Sequence, residues 1–209
     1  MLDRYAIKII KSPLQQIAIL LDQRSISADQ VTLLGFMFGL LALPSIVCEY
    51  YYLGLLFIVI NRIFDGIDGA VARVQGITDS GGFLDISLDF LFYSLIPFAF
   101  VLADPATNAV AGALLIFSFI GTGSSFLAFA VMAGKQGIEN PVYQHKSLYY
   151  ISGLTEGTET IFCLILFCLF PAYFAVIAYI FATLCWITTF TRIWGGYHTL
   201  KKEAIKVKN

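Results

Sequence analysis

A chain of 209 residues that is 58% hydrophobic and only 13% charged, with a mean hydropathy of +0.80, is too apolar for a soluble globular domain. The formal net charge of −1 says nothing about nucleic acid and no basic block suggests it, so no nucleic-acid partner is expected. The class that remains is an all-α polytopic membrane protein, one domain over residues 1–209, surrounded by membrane lipids.

The N-terminus carries Asp3, Arg4, Lys8 and Lys11 and no small-residue cleavage pattern, so a signal peptide is not expected. Ser12-Pro13 reads as a helix start. Ile10, Leu14, Ile17 and Leu21 then recur at helical spacing, with Lys8, Lys11, Gln15 and Asp22 elsewhere around the axis. Residues 1–28 therefore form an amphipathic segment that lies in the membrane interface. Ser27 followed by Gln30 is a capping-box pattern that opens the first span.

Six transmembrane helices are predicted over a core of 31–194, near 31–49, 52–72, 83–102, 109–132, 152–170 and 173–194, at about 20 residues per crossing. All 13 Lys and Arg residues then fall on one side: Arg4, Lys8, Lys11, Arg24, Arg62, Arg73, Lys135, Lys146, Arg192, Lys201, Lys202, Lys206 and Lys208. The opposite links carry only Glu49 and Asp104. The positive-inside rule places both termini and the 73–82 link in the cytoplasm. Cys48, Cys163, Cys168 and Cys185 show no metal or redox spacing and read as packing residues.

The second and third spans carry the chemistry. Asp65 and Asp68 are three apart; Asp85 and Asp89 are four apart, so each pair shares a helix face. An Asp at the centre of a membrane helix costs roughly 3 kcal/mol, and four left unpaired cost on the order of 10 kcal/mol. Pairing with Arg62 and Arg73 is the plain alternative, but two arginines do not neutralise four carboxylates. Facing pairs make a cluster of hard oxygen ligands suited to two Mg²⁺ or Mn²⁺ ions, which clamp a pyrophosphate when about 3.5–4 Å apart. Gly66 and Gly69 allow close approach of a nucleotide diphosphate or serve helix packing. Ala72 leaves room beside a ligand, and Arg73 can grip a phosphate bidentately.

The run Asp65-x-x-Asp68-Gly69-x-x-Ala72-Arg73, followed by Gly81-x-x-x-Asp85-x-x-x-Asp89, resembles the signature of the CDP-alcohol phosphatidyltransferases, integral membrane enzymes of phospholipid biosynthesis. One departure is that seven residues, not eight, separate Arg73 from Gly81. The resemblance implies a bacterial inner-membrane enzyme whose active site faces the cytoplasm. It implies transfer of a phosphatidyl group from a CDP-alcohol, in most members CDP-diacylglycerol, to an acceptor hydroxyl, with release of CMP. Carried over by position, Asp65, Asp68 and Asp85 match metal ligands. Asp89 matches the last motif aspartate, a general base that also reaches a metal. Gly69 and Arg73, with Ala72 and Gly81, match nucleotide-binding positions. Asp29, Gln30 and Thr32 occupy the polar start of the first span and are assigned to cytidine, as is Thr78 in the shortened link. Relatives are often homodimers, which makes a homodimer possible here.

The acceptor side is open. Lys135, Lys146 and Arg192 either hold a phosphorylated acceptor or only set topology. Glu156 and Glu159 lie three apart near the start of an apolar span. They either bind acceptor hydroxyls or an ammonium group, or pair with His145 or Lys146. The acceptor itself (glycerol 3-phosphate, inositol phosphate, serine or another lipid hydroxyl) is not named by the sequence. The competing class is a cation transporter using intramembrane carboxylates, which leaves the Gly/Ala/Arg positions of the motif unexplained and lacks a repeated half.

Overall fold

The computed structural model describes residues 3–137 and 153–206, with side chains over 13–137 and 153–201. Among the described residues the chain is all-helical: α1 (Asp3–Gln23), α2 (Ala28–Val47), α3 (Tyr51–Gln75), α4 (Asp79–Ala103), α5 (Pro105–Lys135), α6 (Gly157–Leu169), a 3₁₀ turn (Pro171–Tyr173) and α7 (Phe174–Lys206). Among the described residues, four helical stretches are long and apolar enough to cross a membrane: Ala28–Val47, Asp79–Ala103, Pro105–Lys135 and Pro171–Lys201. α3 is long enough at 25 residues but carries Arg62, Asp65, Asp68 and Arg73. α6 differs from the span expected over 152–170. It is 13 residues long, about 20 Å at 1.5 Å per residue.

The local causes are visible. The Ser27–Gln30 capping box is formed, with Gln30 N donating to Ser27 Oγ (3.3 Å) and Ser27 N to Gln30 Oε1 (3.0 Å). α3 stops at Gly76, whose φ of +103° lies in the region favouring glycine. Thr78 then caps α4, its Oγ1 accepting from Gly81 N at 3.1 Å. α6 begins late because residues 154–155 bond to α7 instead of continuing the helix. The amides of Leu154 and Thr155 both donate to Thr188 Oγ1, at 3.1 and 3.0 Å.

Lipid is as apolar as a leucine side chain, so helix association depends on close packing and internal polar bonds. α2 and α3 meet at Gly35, where a Cβ would stand 2.5 Å from Phe64 Cβ. Asn61 Nδ2 of α3 donates to the Gly35 carbonyl at 2.9 Å across the same seam. α4 packs beside α2, and α5 beside α7. At one end of the bundle the Phe174 ring lies 4.7 Å from both Phe100 and Phe167, and Tyr51 stacks on Phe100 at 5.6 Å. Cys163, Cys168 and Cys185 are buried in this core, as packing residues should be, whereas Cys48 is exposed where α2 ends.

α1 lies across α3, with Ala18 against Ala70 and Val71. Gln75 fixes the turn between α1 and α2. Its Nε2 donates to Asp22 Oδ1 (3.1 Å) and to the Ile26 carbonyl (2.8 Å), and its Oε1 accepts from Ala28 N (3.3 Å).

Candidate active site

α3 and α4 turn their acidic faces toward each other. Carboxylate oxygens of Asp65, Asp68 and Asp85 lie within 4.8 Å of one another. Asp68 is 5% exposed, and its Oδ2 is buried with no hydrogen-bond partner. A buried carboxylate oxygen without a donor is expensive. Three carboxylates this close also repel one another. A divalent cation removes both costs, and an all-oxygen donor set fits Mg²⁺ or Mn²⁺.

Asp89 stands apart from that trio. Its Oδ1 accepts from Arg62 Nη2 at 2.8 Å, and its Oδ2 accepts from the Tyr93 hydroxyl at 3.3 Å. Arg62 is the one cation among the described residues within ion-pair reach of the aspartates, its Nη1 lying 3.7 Å from Asp65 Oδ2. Asn61 Oδ1 accepts from Arg62 Nε and Nη2 at 2.8 and 2.5 Å, and Nη1 donates to the Tyr93 hydroxyl at 2.9 Å. The guanidinium also stacks over the rings of Phe92 and Tyr93, 4.7 and 5.1 Å from their centroids. One arginine against four carboxylates leaves the basin net negative.

The basin is bordered by Thr32, Asn61, Arg62 and the four aspartates. At its rim, a Cβ on Gly69 would meet only Arg73 Nη1, at 3.4 Å, so the space beside Gly69 is open toward Arg73. Ala72 is half-buried and Arg73 exposed in the last turn of α3. A Cβ on Gly81 would meet Thr78 Oγ1 at 3.0 Å and Asp29 Oδ1 at 3.1 Å, so these three positions converge where α2 and α4 start. Gln30 sits in its capping box. Gly66 differs from Gly69: its Cβ would touch Leu14 Cδ1 of α1 at 3.3 Å, which makes it a helix-contact glycine.

A second cavity lies between α4, α5, α6 and α7. Glu156 and Arg192, both on its wall, are 8% and 7% exposed. Arg192 Nη1 donates to the Thr122 carbonyl at 3.2 Å. Glu156 sits at the cap of α6, its amide donating to Glu159 Oε2 at 3.1 Å and its Oε1 accepting from Gly153 N at 3.2 Å. The segment holding Glu156 is anchored by Thr188, which also bonds Thr155 Oγ1 at 2.9 Å. Of the candidate acceptor residues, Glu156 and Arg192 line this cavity; Glu159 supports Glu156; Lys135 is exposed in the last turn of α5. Lys146 and His145 lie outside the described residues.

The family model of CDP-alcohol phosphatidyltransferases matches residues 25–194. The chain belongs to the CDP-alcohol phosphatidyltransferase family. It is 59% identical over 201 residues to inner membrane protein YnjF of Escherichia coli (strain K12), covering 96% of this chain and 98% of that one. It is 28% identical over 193 residues to archaetidylinositol phosphate synthase of Pyrococcus horikoshii, covering 92% and 95%. Among solved structures it resembles Mycobacterium tuberculosis phosphatidylinositol phosphate synthase (PgsA1) in complex with manganese and citrate. That TM-score is 0.70 at 19% identity, over 88% of each chain. The same enzyme with CDP-DAG bound gives a TM-score of 0.64 at 19% identity, over 88% of this chain and 93% of that one. These two likenesses show a shared fold.

Neither Tyr93 nor Asn61 is singled out by the motif, and Arg62 enters the sequence reading only as a plain charge partner of the aspartates and one of the basic residues that set topology. A signal exists: Tyr93 is i+4 from Asp89, and Arg62 is i−3 from Asp65, which puts each on a carboxylate face.

Proposed function

We propose that this phosphatidyltransferase-family chain takes a CDP-alcohol, with CDP-diacylglycerol the favoured donor, and transfers its phospho-alcohol group to an acceptor hydroxyl, releasing CMP. The observation that carries the reading is the Asp65–Asp68–Asp85 cluster around the partnerless buried Asp68 Oδ2. Two Mg²⁺ or Mn²⁺ ions held there supply Lewis-acid stabilisation of the attacking and leaving oxygens. Arg73 and the open flank of Gly69 receive the diphosphate. Asp29, Thr32, Thr78, Ala72 and Gly81 border the nucleotide, with Gln30 shaping the start of α2. Asp89 takes the proton of the acceptor hydroxyl as that oxygen bonds to the β-phosphorus. The phosphorus–oxygen bond to CMP breaks in the same displacement, and CMP departs with the electron pair.

The acceptor enters through the second cavity, where Glu156 and Arg192 offer opposite charges beside Tyr93. Glu159, Lys135 and Lys146 complete its surroundings. In the membrane, α2 to α7 make six crossings within one domain over 1–209. α3 enters with its charges turned toward the basin, and α1 lies in the interface. The one-sided distribution of basic residues supports a basin at the cytoplasmic face of an inner membrane.

The test is CMP release from CDP-diacylglycerol by the purified full chain with Mg²⁺, across glycerol 3-phosphate, inositol phosphate, serine and lipid hydroxyls. Acceptor-dependent CMP release, abolished by EDTA and restored by Mn²⁺, supports the reading. Silence with every acceptor, or activity indifferent to chelation, overturns it.

A further inference from the structure

Tyr93 lines the second cavity and also bonds the carboxylate site. Its ring is part of the wall that includes Glu156 and Arg192. Its hydroxyl lies 4.0 Å from where a Cβ on Gly157 would stand, at the first turn of α6. The same hydroxyl accepts from Arg62 Nη1 at 2.9 Å and donates to Asp89 Oδ2 at 3.3 Å. Arg62 Nη2 holds the other oxygen, Oδ1, at 2.8 Å. Both Asp89 oxygens are therefore held, one by Tyr93 and one by an arginine whose Nη1 also lies 3.7 Å from Asp65 Oδ2. Arg62 is itself fixed by Asn61, which is tied to the Gly35 carbonyl of α2.

We propose that Arg62 and Tyr93 are positioning residues: together they fix the Asp89 carboxylate beside the Asp65–Asp68–Asp85 trio, next to the tyrosine that walls the second cavity. This rests on Asp89 acting as the base of the proposed reaction. The geometry gives the two partners different weights. Arg62 is a charged donor held in a fixed fork, the stronger tether. Tyr93 is a neutral donor whose bond to Asp89 is longer. Without the hydroxyl, Asp89 keeps its ion pair but is free to rotate about the Oδ1 tether. A base misplaced by a fraction of an ångström loses rate while donor binding is untouched. The Tyr93 ring also fixes how closely an acceptor hydroxyl approaches Asp89, so substitution there alters the acceptor KM as well as kcat.

The experiment is a double-mutant cycle on the full chain, read as CMP release from CDP-diacylglycerol with the best acceptor of the panel. Donor affinity is measured separately with Mn²⁺ present. Tyr93→Phe is expected to lower kcat about tenfold and leave the CDP-diacylglycerol Kd within about threefold. In an Asp89→Asn background the same change is expected to cost less than about twofold, because the residue acts through Asp89. Arg62→Lys, which retains the charge but not the fork, is expected to recover part of what Arg62→Gln loses. A full tenfold loss from Tyr93→Phe in the Asp89→Asn background overturns the positioning role, as does a loss confined to donor affinity. If Asp89→Asn itself leaves turnover intact, the base assignment has failed, and the positioning inference falls with it. If Asp89→Asn cripples turnover and Tyr93→Phe does nothing, only the positioning inference has failed. Arg62 variants that do not fold leave the Tyr93 arms as the deciding measurement.

Discussion

The two cavities are built by opposite means. The carboxylate basin takes its four aspartates from α3 and α4, within 25 consecutive residues, on helix faces set by i, i+3 and i, i+4 spacing. The second cavity draws on α4, α5, α7 and the start of α6 with the residues just before it, which lie up to about a hundred positions apart. One presents charge of a single sign with one arginine at its edge. The other presents aromatic rings, hydroxyls, one carboxylate and one guanidinium. The first therefore suits metal ions and a diphosphate. The second suits an organic molecule, and its shape depends on how four helices pack. A variant in the basin should act on chemistry and donor; a variant in the second cavity should act on the acceptor.

The largest expected effect tests the first half of that division. Asp68→Asn keeps the size and removes the charge at the most buried member of the trio. In the proposed reaction, several kcal/mol of transition-state stabilisation would depend on ions held by the trio. Turnover should fall by at least about 10³-fold, and Mn²⁺ binding, followed by electron paramagnetic resonance, should weaken in parallel. A variant that binds Mn²⁺ as the parent does would detach the trio from the metal and remove the distinction between the cavities.

A smaller effect tests the second half. Thr188 Oγ1 is the acceptor for Leu154 N, Thr155 N and Thr155 Oγ1, and so holds the segment that carries Glu156. Thr188→Val keeps the shape but strands the buried amide of Thr155 and the part-buried one of Leu154, at about 1–3 kcal/mol of stability. The acceptor KM should rise roughly tenfold while the CDP-diacylglycerol Kd stays within about twofold. Equal losses on donor and acceptor would show that the two cavities are one site energetically.

What could be read from the sequence follows the same line. Asp65, Asp68, Asp85 and Asp89 were legible because local helical spacing alone puts each pair on one face. The Ser27 capping box was legible for the same reason. The tethering of Asp89 to Arg62 and Tyr93 was not, because helix spacing gives faces and not which face meets which. The start of α6 was missed because an apolar run from 152 onward reads as helix. In the structure, Thr188, more than thirty residues later, takes up the amides of 154 and 155. Glycine pairs are ambiguous at this level too: Gly66 and Gly69 are one turn apart and identical in type. Only the position of α1 tells packing from open space.

That last distinction gives the finest test. At Gly66 an alanine Cβ would press on Leu14 Cδ1 at 3.3 Å, the far end of a flexible side chain that can shift. Alanine also gains roughly 1 kcal/mol of helix propensity over glycine. Gly66→Ala should therefore leave stability near or above that of the parent and CMP release within about twofold. At Gly69 the protein offers no obstacle, since the new methyl would meet only the tip of Arg73 at 3.4 Å. The folded chain should accept Gly69→Ala equally well, with an unchanged thermal midpoint. A donor that passes close to this flank of α3 would nevertheless collide with the methyl. The CDP-diacylglycerol Kd should rise severalfold, on the order of 1 kcal/mol, with kcat at saturation nearly preserved. Two alanines one turn apart, both tolerated by the fold but only one felt by the donor, would locate the diphosphate on the Gly69 side of the basin. Equal tolerance at both positions would move it away from α3 and leave Arg73 without its assigned ligand.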